Sequence, residues 1–257
     1  MSNEKQDTLF VSSLEKGMRV LAAFTQRHSE MGFLELAEAT GLEKSAAQRL
    51  INTLHKIGYL NRNPDTRRYR PSLKCLELAN AYLTLDPLAH SAMPKLVELG
   101  HNLGERVNAA RLDGTDIVYV IRIPTRLTSF AGMIVGRRLP ALTTSSGRAL
   151  IACLDPDSRR EAVETWPIIQ ATPKTTLDRS KIAAEVEQAV ADGYAVTDGQ
   201  NIMNEIGIAA PILCDGLPVA AAQCSVSALR WSVERVRSEI APLLTEVANS
   251  IHLPKRG

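Results

Sequence analysis

Aromatic side chains are scarce in this chain: Phe, Trp and Tyr make up 4% of its 257 residues. That argues against a single-strand nucleic-acid groove, which stacks successive bases on aromatic rings. The four cysteines, Cys75, Cys153, Cys214 and Cys224, lie far apart, with no CxxC pair and no histidine at metal-ligand spacing. They read as reduced packing residues, and no metal or other cofactor is implied. No uninterrupted apolar run reaches about 18 residues, so no transmembrane helix is expected. The opening MSNEKQDTLF has no apolar signal core, which suggests a disordered arm over residues 1–12 of a cytoplasmic protein. Catalytic signatures are missing too. There is no GxSxG elbow, no HExxH and no GxxxxGK[ST] loop. His28, His55, His90, His101 and His252 are scattered, none beside a plausible nucleophile, so no catalytic residue is assigned.

What the chain does have is concentrated in residues 32–70, GFLELAEATGLEKSAAQRLINTLHKIGYLNRNPDTRRYR. A short helix ends at Gly41, a three-residue turn follows, and a second helix begins. Ala47, Leu50, Ile51, Leu54 and Ile57 recur at helical spacing on that helix and form one apolar face. It should pack on Leu34, Leu36 and Ala37. Ser45, Gln48, Arg49, Asn52 and Lys56 then point outward, a set of donors and acceptors suited to base edges in a major groove. Beyond the helix, Arg62, Arg67, Arg68 and Arg70 crowd around an Asn-Pro-Asp turn, as a basic wing would. A small helical subdomain with a solvated polar face is the plainer alternative. The coincidence of turn, polar face and arginine hairpin favours double-stranded DNA.

The charge distribution agrees. The formal net charge is +2, and residues 1–71 carry eleven Lys/Arg against eight Asp/Glu, so the positive excess lies in this module. Counterion-release binding to phosphates requires such an excess.

The chain length suits two domains. Leu14, Met18, Leu21 and Phe24 mark an amphipathic helix from Ser13 to about Arg27, giving a winged helix-turn-helix domain over 13–71. Residues 72–85 read as a helical linker whose Leu73, Leu76, Leu78 and Leu83 need a partner surface. Asp86-Pro87 starts a second domain, 86–257, as a cap followed by Pro at the first helical position. Its first helix runs to about Leu103. Strands are expected at 107–112 and 116–123 around Asp113-Gly114, at 129–135, at 194–198, and at 207–213 and 218–226 around Asp215-Gly216. Helices are expected after Thr143-Thr144-Ser145-Ser146-Gly147, from Asp178 to Gly193, and over 232–252. This is an α+β domain with a largely antiparallel sheet flanked by helices.

Two features could bind a ligand. The helix start at Ser145, Ser146 and Gly147 offers unpaired backbone N–H groups to a carboxylate or phosphate, although the simpler reading of the same residues is a Ser/Thr cap. Gln223 and Ser225 share one face of an otherwise apolar strand and need polar partners, which could be a ligand or only backbone and water.

From Ser13 to Ile251 the chain resembles the isocitrate-lyase-regulator (IclR) family of bacterial transcription factors. The matching segments are SLEKGMRVLAAF, LAEATGLEKSAAQRLINTLHKIGYL, RRYR, VGRRLPALTTSSGRALIA, GIAAPI and VAAAQCSVSALR. The resemblance implies a GAF-like effector domain, dimers or tetramers, and a palindromic operator. It also implies an effector pocket at Leu139, Ser145, Ser146, Asp198, Gly207, Gln223 and Ser225, beside the Gly147 of the helix start, with Thr197 the alternative to Asp198. Gly207 stands where relatives carry Cys or Ser, which would leave room for a ring. Arg148, in TSSGRAL, resembles the branch that regulates protocatechuate and 4-hydroxybenzoate catabolism. The expected function is a transcriptional regulator controlled by a small organic acid. A DNA-tethered enzyme and a ligand-free architectural protein are the rivals.

Overall fold

The computed structural model describes residues 9–25, 28–125 and 134–253. The chain divides into two units, Met1–Leu85 and Asp86–Gly257. Among the described residues no helix is long and apolar enough to cross a membrane. Most of the arm expected over 1–12 lies outside the described residues.

Up to Pro71 the described residues of the first unit form three short helices and a hairpin: α1 (Ser12–Ala22), α2 (Phe33–Thr40), α3 (Lys44–Lys56), β1 (Leu60–Arg62) and β2 (Tyr69–Pro71). α1 ends at Ala22, and the expected end at Arg27 lies outside the described residues. Gly41 ends α2 at φ 63°, a left-handed position that suits glycine. Val20, Leu36, Ala37, Ala47, Ile51, Leu54 and Leu60 form the buried core, joined by Leu21 and Phe24. Leu34 and Ile57, expected in that packing, are instead 58% and 49% exposed. Each lies at an end of its helix, beyond the reach of so small a core. Leu14 and Met18 are likewise exposed. The linker residues form α4 (Lys74–Leu85), which has no buried residue.

The second unit begins with α5 (Pro87–Leu103). Asp86 caps its start by accepting from the Leu88 N–H at 3.1 Å, and Gly104 ends it at φ 64°. A six-stranded sheet follows in the order β5-β4-β3-β8-β7-β6, with every neighbouring pair antiparallel. The strands are β3 (Arg106–Asp113), β4 (Asp116–Ile123), β5 (Arg138–Pro140), β6 (Ala195–Asp198), β7 (Glu205–Cys214) and β8 (Leu217–Ser227). Asp215 and Gly216, at φ 51° and 78°, turn β7 into β8 as a two-residue hairpin requires. Most of the strand expected at 129–135 lies outside the described residues. Ile134 and Val135 are not in a strand, and the edge strand is β5.

Strand alternation sends Ile206, Ile208, Ala210, Ala222, Cys224 and Val226 to one face of the sheet, against α5 and α10 (Ala241–Ser250). The other face carries Asn108, Ala110, Gly207, Ala209, Ala221, Gln223 and Ser225. It is covered by α6 (Ser145–Ala152), α7 (Pro156–Thr165) and α8 (Arg179–Asp192). Sequence reasoning does not find α7, although its Asp155-Pro156 start repeats the Asp86-Pro87 signal.

β4 breaks the alternation once. Ala109 pairs with Ile121 but Ala110 pairs with Tyr119, so Val120 is an extra, bulged residue. Tyr119 and Arg122, three residues apart, therefore share a face. The helix expected over 232–252 is also interrupted. α9 (Val233–Arg235) leads into a π turn at Val236–Ile240 before α10. Pro242 has no N–H for the Ser238 carbonyl and would clash with it in a regular α-helix, and the wider turn removes the conflict.

Candidate functional sites

On α3, Ser45, Gln48, Arg49, Asn52 and Lys56 are all exposed, opposite the buried Ala47, Ile51 and Leu54. The wing turn is built by Asn63, whose Oδ1 accepts from the Asp65 N–H at 2.9 Å and the Thr66 N–H at 3.2 Å. Arg67 stands at its tip with φ 55° and is exposed. Arg62 lies 5.7 Å from the Tyr69 ring and remains exposed. Arg70 lies 3.9 Å from Glu30 and is also exposed. Arg68 differs from the other three. Its Nη2 donates to the Glu30 carbonyl at 2.8 Å and to Glu35 at 2.7 Å, fastening the wing to α2. Glu35 also accepts the Gly32 N–H at 2.7 Å, and that bond first, with Arg68, holds its carboxyl below the usual range.

In the second unit, a narrow cleft opens beside the sheet, with about 30 Å³ of room for the centre of a water-sized sphere. Of the expected effector residues, Leu139, Ser145, Gly207 and Gln223 line it, as does Thr197. Asp198, Ser146, Gly147 and Ser225 do not line it. On β6, residues 197 and 198 face opposite ways, and the Asp198 carboxylate pairs with Lys174 at 3.0 Å. Ser225 sits beside the cleft, accepting from Gln223 Nε2 at 2.6 Å and approaching Glu205 at 3.4 Å. Ser146 is fully buried and its Oγ has no hydrogen-bond partner.

The helix start is a cap. Thr144 Oγ1 accepts the Gly147 N–H at 3.0 Å, so that donor is taken. A Cβ on Gly147 would stand 2.1 Å from the Ala141 carbonyl oxygen. The glycine is there because α6 lies against the 3-10 turn Ala141–Thr143, and not because a ligand approaches it. Arg148 is 1% exposed; it pairs with Glu185 on α8 and donates from Nε to the Leu142 carbonyl at 2.8 Å. It pins α6 in place and takes no part in the cleft. Nor does Gly207 leave empty room. Ser145 Oγ, Thr197 Oγ1 and Gln223 Nε2 stand 2.9, 3.2 and 3.3 Å from where its Cβ would be. Three polar groups already converge on that space.

Charged residues that sequence patterning does not single out also line the cleft: Arg106, Arg122 and Glu205 from the sheet, and Arg137 just before β5. Arg106 pairs with Glu205. Arg122 stacks on Tyr119, its guanidinium carbon 4.2 Å from the ring centre. Its Nε donates to Asn108 Oδ1 at 3.3 Å, and Asn108 Nδ2 donates in turn to Gln223 Oε1. Burial lowers the pKa of Arg122 and raises that of Tyr119, in each case by disfavouring the charged form. Arg122 Nη1 and Arg106 Nε are buried without hydrogen-bond partners. Gln200, which also lines the cleft, fastens the loop after β6. Its Oε1 accepts the Thr176 N–H at 2.8 Å and its Nε2 donates to the Lys174 carbonyl at 3.1 Å. Tyr119, Leu139 and Ile202 supply the less polar walls.

Two family models match. Residues 13–64 match the IclR helix-turn-helix domain, and residues 80–253 match the bacterial transcriptional regulator IclR C-terminal domain. The chain belongs to the IclR family of bacterial transcriptional regulators. As an IclR-family member it binds DNA through its helix-turn-helix domain, and it is a regulator, not an enzyme. It is 34% identical over 248 residues to the Pca regulon regulatory protein of Pseudomonas putida, covering 95% of this chain and 84% of that protein. It is 28% identical over 256 residues to the p-hydroxybenzoate hydroxylase transcriptional activator of Acinetobacter baylyi, covering 97% and 94%. Its fold matches that of an IclR homolog from Microbacterium hydrocarbonoxydans, solved with 4-hydroxybenzoate. That match has a TM-score of 0.77 at 24% identity and covers 93% of this chain and 97% of the other.

Proposed function

We propose that this IclR-family regulator is cytoplasmic, binds a palindromic operator as a dimer or tetramer, and is controlled by a small aromatic carboxylate seated in the sheet-side cleft. The observation that carries the effector class is the charge of the cleft. Among the described residues that line it, Glu205 is the one acidic side chain and it pairs with Arg106, which leaves Arg122 and Arg137 without an acidic counterpart among them. The Tyr119, Leu139 and Ile202 walls suit a ring. Ser145, Thr197 and Gln223, grouped about Gly207, suit its polar substituents, while Gly147, Asp198 and Ser225 hold the surrounding elements and Ser146 is buried behind them. The named roles of the Pseudomonas and Acinetobacter relatives and the 4-hydroxybenzoate in the Microbacterium homolog support the same class.

On the DNA side, Ser45, Gln48, Arg49 and Asn52 read base edges, Arg62, Arg67 and Arg70 meet the backbone or minor groove, and Arg68 chiefly fixes the wing. Dimerisation is supported by apolar side chains left open on the first unit: Leu14 and Met18 on α1, Leu73 just before α4, and Leu76, Leu78, Tyr82 and Leu85 on α4 are each more than half exposed.

A thermal-shift screen of aromatic and aliphatic acids tests the effector reading. Binding to the folded state alone adds about 2.7 kcal/mol at a hundredfold excess over Kd. An aromatic acid should shift the second unit's unfolding and change operator affinity in the same titration. A screen in which only aliphatic acids, or none, shift the transition refutes it.

A further inference from the structure

We propose that Arg122 is the residue that recognises the effector's carboxylate, so that the acid lies with its charged end toward the β4 bulge and its opposite end over Gly207. This assignment rests on the effector reading above and adds an orientation to it.

The three guanidinium groups among the described residues of the cleft are not equivalent. Arg106 is committed to Glu205. Arg137 sits outside the strands, between Gly136 and β5. Arg122 is held on two sides, by the Tyr119 ring beneath it and by Asn108 at its Nε, and its Nη1 is buried with no hydrogen-bond partner. A buried cationic donor with nothing to bind is costly in the empty protein, and an incoming carboxylate would supply the missing acceptor. Burial already disfavours the charged guanidinium, and the same anion would reverse that penalty.

The bulge at Val120 is what delivers the group. In a regular strand Tyr119 and Arg122 would face opposite ways, and the guanidinium would enter the apolar core beneath α5. The helix start is the weaker anchor, because Thr144 occupies the Gly147 donor. At the far end, Asn108 orients Gln223, whose Nε2 donates to Ser225 Oγ at 2.6 Å and stands, with Ser145 Oγ and Thr197 Oγ1, within 3.3 Å of where a Gly207 Cβ would be. That cluster suits a ring hydroxyl or another small polar substituent.

The test is calorimetry on the full-length chain with 4-hydroxybenzoate and with 4-hydroxybenzamide, which keeps the shape and removes the charge. The parent should prefer the acid. R122M should weaken the acid by about 10- to 100-fold and leave the amide within about twofold, since one charge-assisted contact is lost and the fold is kept. R122K keeps the charge but cannot reproduce the planar fork, so its acid-to-amide ratio should fall between the two and serves in place of R122M if that variant does not fold. Undiminished acid binding in R122M would put the carboxylate elsewhere and overturn the assignment. Equal loss of acid and amide would also overturn it, by making Arg122 a structural residue only. A parent that binds no aromatic acid overturns the effector reading itself, and the orientation with it.

Discussion

Replacing Gly147 with alanine sets two known effects against each other, and the structure says which one wins. The residue lies inside α6 with an ordinary helical backbone, where alanine is favoured over glycine by about 0.8–1 kcal/mol. Propensity alone therefore predicts a more stable protein. The new Cβ, however, would stand 2.1, 2.4 and 2.5 Å from the carbonyl oxygen, Cα and carbonyl carbon of Ala141. All three are backbone atoms of a 3-10 turn and cannot swing aside as a side chain can. Overpacking of this kind costs about 1–3 kcal/mol, occasionally more, and here it needs α6 to move away from the turn. Three backbone contacts this short place the cost at the upper end of that range, so G147A should lose about 2 kcal/mol net, or roughly 4–8 °C for a unit of this size. Both tryptophans, Trp166 and Trp231, belong to the second unit, so urea unfolding followed by tryptophan fluorescence reads that unit directly. G207A is the control. Its nearest obstacle is Ser145 Oγ at 2.9 Å, a side-chain atom that can rotate, and its loss should be smaller than that of G147A. A midpoint for G147A at or above that of the parent would mean that helix propensity outweighs the contact, and would refute the packing of α6 against Ala141.

Other expectations follow from the same geometry. Arg49→Ala should cost about 1–3 kcal/mol of specific operator binding and relax discrimination at one base pair, while Arg67→Ala should weaken specific and non-specific DNA alike and flatten the salt slope. Footprints and salt titrations read both, and a salt slope unchanged in the Arg67 variant would take that side chain off the phosphates. Glu35 has a depressed pKa in the folded state, so its contribution to stability is present above its unfolded pKa and fades as pH falls through the folded value. Glu35→Gln should flatten that acid limb in thermal melts of the winged unit. Burial pushes the Cys224 thiol up to about 12, so an alkylating reagent at pH 8 should reach it only after unfolding, as peptide mass spectrometry would reveal. Sedimentation across the micromolar range should show dimers or tetramers. A monomer throughout would remove the apolar faces of α1 and α4 as an interface.

Much of the fold is legible in the sequence because its punctuation is local. Asp86-Pro87, Asp178, Gly193 and the Asp-Gly turns each act through a cap or a positive φ within a few residues, and the elements stand where those signals put them. α7 is signalled in the same local way, by Asp155-Pro156. The exposed face of α3 is equally local, a matter of 3.6 residues per turn. The cleft is different. Alternation states that residues 197 and 198 diverge, but which of them looks inward is decided by the partner strand. The burial of Ser146 and Arg148 follows from α8 and the 141–143 turn, neither of which a helix-start motif contains. Arg106 and Arg122 meet Glu205 and Gln223 only through strand pairings about a hundred residues apart in the chain, and a period-two reading of β4 misplaces Arg122.

The bulge at Val120 also fixes the phase of the strand. If β4 slid by one residue to absorb the extra position, the Arg122 guanidinium would be driven in beside Val107 and Leu96, and Ile123 would be pulled out toward water. Both displacements are unfavourable, so the irregularity holds the register instead of loosening it. Removing Val120 altogether would be milder. Tyr119 and Arg122 would then sit two positions apart and still face the same way, on a straighter strand. Evolution and engineering therefore meet an asymmetry at this point: the strand can be shortened by one residue without inverting its faces, but it cannot be regularised at constant length.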